Sequence, residues 1–364
     1  MIILRKMLFI FNYPSGGVET LARQRYKALK PFGIHFDFLY FMEGPGLQNI
    51  KDTNIFIKPT DEAIKQHIIE NNYEAIIVCS DFFMLEKIRQ FGYTGILIYE
   101  VQGLGPINNA EYWLSTVAKP YIDQYATAIL TPITPHLVKY STEYYPEKPR
   151  FHYHNGLDID QFQLKNEIPN EHSPIVAWVG RIEKNKNWKE FISISKSLIR
   201  IHPKLRIWMF LDSIQFEEEE MTSFRKKLEK KVLSDNLTLF YDIPHDEMAN
   251  YYSRIAKSLG FLCSTSITEG FGYAILEAMS CKCPVLTTNS DGISSFVHHN
   301  QTGKVYTQGR VAEALIHAKD LLGNHALRNK LTSHASHYVQ SHFSLEQYGR
   351  NFVQMIEAIK NNQS

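Results

Sequence analysis

Short apolar runs alternate with longer amphipathic stretches along most of the chain, and these two periods place the expected elements. In the first part, Lys6 to Asn12, Ile34 to Phe41, Ala75 to Cys79, Gly95 to Tyr99 and Ala128 to Leu130 are runs of strand length. Between them, Glu19 to Leu29, Asp61 to Asn71, Met84 to Phe91 and His136 to Tyr144 carry apolar residues at helical spacing. The pattern breaks at the Pro-, Asn- and Glu-containing stretch Asn166 to Pro174, which predicts a linker over 166 to 173. A second series follows, with strands expected at Ile175 to Val179, Leu205 to Leu211, Leu237 to Tyr241, Gly260 to Ser264 and Val285 to Thr288. Helices fit between them at Trp188 to Ile201, Phe216 to Leu233, Asp246 to Ser253 and Gly272 to Cys281, and Leu345 to Ile359 is an amphipathic tail. The fold class is therefore α/β, with two Rossmann-like, doubly wound halves, whose ligands should bind at the carboxyl ends of the strands.

Composition sharpens this only a little. A chain of 364 residues is long for one core, and 44% hydrophobic residues leave ample material to bury. A formal net charge of +1 gives no basic excess for nucleic acid. The apolar start, Met1 to Phe11, is broken by Arg5 and Lys6, is too short for a membrane span, lacks a cleavage pattern and reads as a first buried strand. Four cysteines without a signal peptide predict reduced thiols in the cytoplasm, and Cys281 with Cys283 lacks the second pair a metal site would need.

Candidate chemistry gathers at glycine turns. Glu269 and Glu277 bracket Gly270-Phe271-Gly272-Tyr273-Ala274-Ile275-Leu276, a turn opening an apolar helix. Glycines let the backbone approach a ligand, and the first helical amides are donors carrying partial positive charge, so a phosphate can sit there. Glu269 before the helix can accept from sugar hydroxyls, and Glu277 inside it can reach a ribose diol. Arg181 and Lys186 follow an expected strand and could neutralise charge on a leaving diphosphate, although with Glu183 and Lys184 they also fit a solvated charged loop. Gly16 and Gly17 fit either a phosphate-facing turn or a bare strand-to-helix turn. Asp158-Ile159-Asp160 reads as turn and cap rather than as a metal site, Glu217 to Glu220 as an exposed first helical turn, and His152, His154, His298 and His299 as strand and loop residues.

The run Glu269 to Pro284, EGFGYAILEAMSCKCP, resembles the signature of the retaining GT-B glycosyltransferases of family 4 (group 1). Ser15-Gly16-Gly17-Val18-Glu19 is similar to that family's first glycine loop, Asn155-Gly156-Leu157-Asp158 with Phe162 to its inter-domain segment, and Gly180-Arg181-Ile182 with Lys186-Asn187 to its phosphate-binding loop. The resemblance implies two Rossmann-like domains facing a central cleft: an acceptor domain over 1–165, to which a last helix at 345–364 crosses back, and a donor domain over 172–344. It implies a nucleotide-sugar co-substrate, with a uridine diphosphate sugar as the expected donor, no other cofactor and no metal. The acceptor would be a carbohydrate, lipid-linked or small molecule. The protein would be cytoplasmic, with room for peripheral contact at the inner face of a membrane.

Carried onto this chain, the resemblance makes Glu269, Arg181, Lys186 and Gln102 catalytic. Gly16, Gly17, Arg181, Lys186, Glu269, Gly270, Phe271, Gly272, Tyr273 and Glu277 would bind the donor. Gln102 stands where the family usually has a histidine, and an amide can make that residue's hydrogen bonds but cannot be protonated. Leu211, Ser213 and Tyr241 replace common glycines, Lys282 replaces a helix-ending glycine and Ser295 a frequent glutamate, so a narrower nucleotide pocket is expected. Front-face transfer is the implied reaction. A paired-carboxylate glycosidase is disfavoured because Glu277 lies with the nucleotide in the resembled site. A GT-B epimerase or hydrolase, and a catalytically silent nucleotide-sugar-binding protein, are the other readings.

Overall fold

The computed structural model describes residues 5–105, 107–229 and 235–362, and these form two compact units. The first unit comprises Met1–Gly156 with Phe343–Ser364, and the second Leu157–His342.

In the first unit the strands are β1 (Arg5–Phe11), β2 (Ile34–Tyr40), β3 (Ile55–Ile57), β4 (Ala75–Cys79), β5 (Ile96–Glu100), β6 (Ala128–Thr131) and β7 (Arg150–His152). They form a parallel sheet in the order β3-β2-β1-β4-β5-β6-β7. Register is fixed by burial on both faces: Ile10 is paired with Leu39 on one side and Val78 on the other, and all three are buried. The chain leaves β1, crosses outward to β2, then returns to the other side of β1 through β4. The carboxyl ends of β1 and β4 therefore form a topological switch point.

The second unit repeats the design with β8 (Ile175–Val179), β9 (Arg206–Leu211), β10 (Leu237–Tyr241), β11 (Phe261–Ser264), β12 (Val285–Thr288) and β13 (Lys304–Tyr306). These are parallel in the order β10-β9-β8-β11-β12-β13, which puts the switch point between β8 and β11. Its core packs Val176, Trp178, Ile207, Met209 and Leu286 from the sheet against Trp188, Phe191 and Leu198 of the helix Trp188–Ile201.

The division between units falls after Gly156, whereas a linker was expected over 166–173. Those residues are bound into the second unit. The Lys165 amide donates to Ser253 Oγ (2.9 Å), Lys257 Nζ donates to the carbonyls of Asn166 (2.7 Å) and Ile168 (2.5 Å), and Glu171 pairs with both Arg206 and Arg254. Proline and asparagine there mark a surface crossing of the second unit.

Short strands β3, β7 and β13, at three residues each, fell below the length at which an apolar run declares itself. The helices between residues 107 and 125, and between 311 and 342, likewise lie outside the expected elements. The expected helix Asp246 to Ser253 is a 3-10 turn, His245–Glu247, followed by an α-helix to Lys257. The expected helix Phe216 to Leu233 is helical over Glu218–Glu229, and its residues 230–233 lie outside the described residues, as do 1–4 and 363–364. The acidic run at its start is not a solvated face throughout. Glu220 is buried, accepting from Trp188 Nε1 (2.9 Å) and Lys189 Nζ (2.9 Å).

The last helix, Leu345–Asn361, packs on the first unit. Phe352 meets Phe36 edge-on at 6.0 Å, Tyr348 accepts from Arg25 Nε (2.7 Å), and Lys360 pairs with Glu74 (2.6 Å). Among the described residues, no helix is long and apolar enough to cross a membrane.

Candidate functional site

Two loops leave the second unit's switch point, 180–187 after β8 and 265–272 after β11, and backbone-directed bonds fasten them together. Asn185 does most of this: its Nδ2 donates to Thr268 O (3.0 Å), its Oδ1 accepts from Thr268 N (3.1 Å), and its own carbonyl accepts from Ile267 N (2.8 Å). Thr265 Oγ1 donates to Lys186 O (2.9 Å) and accepts from Trp178 Nε1 (3.1 Å), tying both loops to the core.

This clamp sets the side chains that carry charge. Lys186 Nζ lies 2.5 Å from Glu269 Oε1, and Ser266 Oγ donates to the same oxygen at 2.6 Å. Arg181 Nη2 is 3.1 Å from Glu183 Oε2. Burial pushes the Glu183 carboxyl above its ordinary range, while Arg181 and Lys186 pull against that shift and Glu269 and Glu217 reinforce it. Arg181, Glu183, Lys186 and Glu269 thus form one electrostatic cluster at the strand ends, while Lys184 of the same loop is exposed and pairs with Glu219.

The glycine turn sits against this cluster. Gly292 N donates to Glu269 O (3.0 Å), and a Cβ at Gly292 would stand 2.3 Å from that oxygen, so only glycine lets the 291–293 turn brace the Glu269 peptide. Gly272 has φ +87° and caps the helix Tyr273–Ser280, its carbonyl accepting from the amides of Ile275 (3.1 Å) and Leu276 (3.2 Å), so that the helix N-terminus opens at this turn. Phe271 and Tyr273 are buried, their rings 4.9 Å apart and Phe271 5.8 Å from Phe296. Of these two residues it is the backbone that can serve a ligand.

Glu277 is 3% exposed and held at both oxygens, Oε1 by His245 Nε2 (2.8 Å) and Oε2 by Tyr252 OH (3.0 Å). Neither partner carried a signal in the sequence: Tyr252 lies in a helix whose amphipathic pattern alone explains it, and His245 stands just before that expected helix, in a short 3-10 turn. Leu211, expected to narrow a pocket, is packed in the hydrophobic core instead, whereas Tyr241 is 47% exposed at the end of β10. Lys282 takes φ +54°, the left-handed conformation in which the resembled family has glycine.

In the first unit, Gly16 takes φ +67° and opens the helix Gly16–Leu29 with Gly17 exposed beside it. Glu19 is buried and pairs with Arg23 one turn on. Gln102 is also buried. Its Nε2 donates to Glu100 Oε1 (2.8 Å) and its Oε1 accepts from Asn155 Nδ2 (2.7 Å). Glu100 in turn pairs with the buried Arg25 at 2.5 Å. Asp158 caps its own turn, accepting from Gln161 N (3.0 Å) and, through its carbonyl, from Phe162 N (3.0 Å). The four cysteines are free and buried.

Residues 160–338 match the family model for glycosyl transferases group 1, which is nearly the whole of the second unit. This stretch is therefore similar to a group 1 glycosyl transferase domain. Among curated proteins it is similar to a probable sucrose-phosphate synthase of Thermosipho melanesiensis, 29% identical over 140 residues, 38% of this chain and 32% of the relative. It is also similar to glycosyltransferase 1 domain-containing protein 1 of Xenopus tropicalis, 31% identical over 124 residues, 34% of either chain. The chain thus spans only about a third of the length of these relatives.

Solved structures extend the likeness to the whole chain. The sucrose-phosphate synthase of Thermosynechococcus elongatus superposes with TM-score 0.81 at 17% identity, over 97% of this chain and 100% of that one. Anabaena Alr3699/HepE in complex with UDP and glucose gives TM-score 0.79 at 15% identity, over 97% and 100%. At such identities the likeness is one of fold, and that fold is GT-B.

Proposed function

We propose that the protein is a retaining glycosyltransferase that moves a sugar from a nucleotide diphosphate donor, with uridine diphosphate the first base to test, to an acceptor held by the first unit. The observation that carries this reading is the joining of Lys186 and Glu269 across the switch point of a unit similar to a group 1 glycosyl transferase domain, beside the helix that opens at Gly272. Fixed cations and helix amides at that position suit a diphosphate, and a carboxylate beside them suits the hydroxyls of the sugar it carries. The solved relative Alr3699/HepE has been captured with UDP-glucose, which supports a nucleotide sugar as the donor class.

The reaction is front-face. As the bond from the anomeric carbon to the diphosphate oxygen breaks, the acceptor oxygen bonds that carbon on the same face and gives its proton to the leaving phosphate oxygen. Arg181, Lys186 and the amides of the helix Tyr273–Ser280 stabilise the charge that develops on the diphosphate. Glu269 orients the sugar, Gln102 offers a fixed neutral amide, and neither a protein nucleophile nor a metal takes part.

Calorimetry against nucleoside diphosphates and their sugars, with and without chelator, tests the donor site. Selective, chelator-insensitive binding supports it, and no response to any nucleotide overturns it. The anomeric proton coupling in the product tests retention, and free sugar released without acceptor would indicate a hydrolase.

A further inference from the structure

Glu277 is buried, with both carboxylate oxygens held by other side chains. It projects from the second turn of the helix Tyr273–Ser280, and its two oxygens are held by residues of two other elements. His245 belongs to the 3-10 turn after β10, and Tyr252 to the helix Met248–Lys257. The imidazole is itself fixed: the ring of Phe162 lies 5.0 Å from it at 59°, and the same ring stands 6.4 Å from that of Tyr252. Phe162 is anchored in turn, since Ser280 Oγ donates to its carbonyl at 2.5 Å. Each hydrogen bond to a carboxylate oxygen uses one of its lone pairs and orients the others. Held this way, the carboxylate cannot rotate, and its remaining acceptor directions are set before any ligand arrives.

We propose that His245 is a positioning residue for nucleotide recognition: by donating from Nε2 to Glu277 Oε1 it fixes the lone pairs that accept from a ribose diol. This rests on the reading of Glu277 as the diol acceptor. Tyr252 supplies the second constraint and Phe162 holds the imidazole in place. The role is one of orientation, so His245 touches neither sugar nor phosphate, and its loss acts on nucleotide affinity rather than on the chemical step.

The test compares calorimetric affinities for UDP and 2′-deoxy-UDP in the full chain and in His245→Ala, His245→Gln, Tyr252→Phe and Glu277→Ala, with kcat and KM for the UDP-sugar measured alongside. The parent should prefer UDP, and Glu277→Ala should erase that preference. His245→Ala should weaken UDP about tenfold, leave 2′-deoxy-UDP within about twofold, and raise KM with little change in kcat. His245→Gln, which keeps a donor on that side, should recover most of the preference, and Tyr252→Phe, the mildest change, should reduce it partly. A parent-like preference for UDP in His245→Ala would overturn the positioning role while leaving the Glu277 reading intact. Should His245→Ala not fold, His245→Leu, which keeps bulk but no donor, takes its place, and a parent-like preference for UDP there would overturn the role equally. Should Glu277→Ala keep the parent's preference, the diol reading itself falls and the inference falls with it.

Discussion

Lys186 Nζ and Glu269 Oε1 are 2.5 Å apart, and the two residues arrive from loops on opposite sides of the β8/β11 switch point. Each neutralises the other, so a diphosphate that engages Lys186 releases the carboxylate to accept from sugar hydroxyls. Removing either partner should therefore cost the reaction rather than the fold. Glu269→Ala and Lys186→Ala are expected to lower kcat/KM for transfer by about 10²–10³, the scale for losing one preorganised charge-stabilising group. Ser266→Ala, which removes one donor to Glu269, should cost about tenfold. Near-normal turnover in the first two variants would sink the assignment.

The left-handed cap at Gly272 offers a separate test of the anion site. A Cβ there would meet its nearest neighbours, Ile275 Cδ1 and Ile293 Cγ1, at 3.5 Å, an ordinary contact, so the penalty of Gly272→Ala comes from the backbone alone. The φ of +87° should cost about 1–2 kcal/mol in the second unit's stability, or rotate the first helical amides if the chain relaxes. In the first case the urea midpoint falls with affinity kept, and in the second calorimetry should find weaker nucleoside diphosphate binding. Unchanged affinity and unchanged urea midpoint together would show that the cap is not strained and its amides are not used.

Much of this architecture was legible because strands buried on both faces leave continuous apolar runs, as in Ala75–Cys79 and Ile175–Val179. Glu269 stands out beside its glycine turn and Lys186 in the charged loop after an expected strand, but their pairing does not. What escaped was set by tertiary contact. Asn185 gives no sign in one dimension that its amide clamps the loop 83 residues away, nor does Glu100 that it anchors Gln102 and buries Arg25. The proline-bearing stretch 166–173 misled because a surface crossing pinned by Ser253 and Lys257 has the same composition as a linker.

Acidification through the histidine range should weaken both units. Burial lowers the proton affinity of His67 and His152 in the first unit and of His317 in the second. A histidine whose folded pKa lies below its unfolded value binds more protons when unfolded. Its contribution is thus complete above about 6.5, the unfolded value, and is lost as pH falls toward the folded one. Thermal midpoints should drop between pH 7.5 and 5.5, and His67→Gln or His317→Gln should flatten the decline. A decline of the same slope in both variants would assign it to other groups.

Moving the left-handed burden off Lys282 should stabilise the protein. This residue takes φ +54° just after the helix Tyr273–Ser280, its amide donating to Met279 O at 3.1 Å and that of Cys283 to Ala278 O at 2.8 Å, and its side chain is exposed. Glycine adopts that conformation without the Cβ penalty, so Lys282→Gly should gain about 1 kcal/mol in urea unfolding, less the added freedom of the unfolded chain. A loss of stability would mean that the lysine side chain contributes more than its backbone costs.

The buried pair Arg25–Glu100 separates stability from positioning. The guanidinium lies 5.4 Å from the centres of both Phe9 and Phe352, donates to Tyr348 OH, and is compensated by Glu100 at 2.5 Å. Removing one charge strands the other in this apolar setting, so Glu100→Ala or Arg25→Ala should each cost roughly 3–5 kcal/mol. Replacing both, as Arg25→Met with Glu100→Leu, removes the desolvation penalty along with the attraction and should return stability to within about 1–2 kcal/mol of the parent. Transfer should not return with it, because Gln102 loses the acceptor that orients its amide and keeps only Asn155. Urea unfolding and kcat/KM measured on the three variants check both halves. A double variant as unstable as the singles would mean that hydrogen-bond geometry, not stranded charge, dominates this cluster. A stable double variant with parent-like transfer would remove Gln102 from the site.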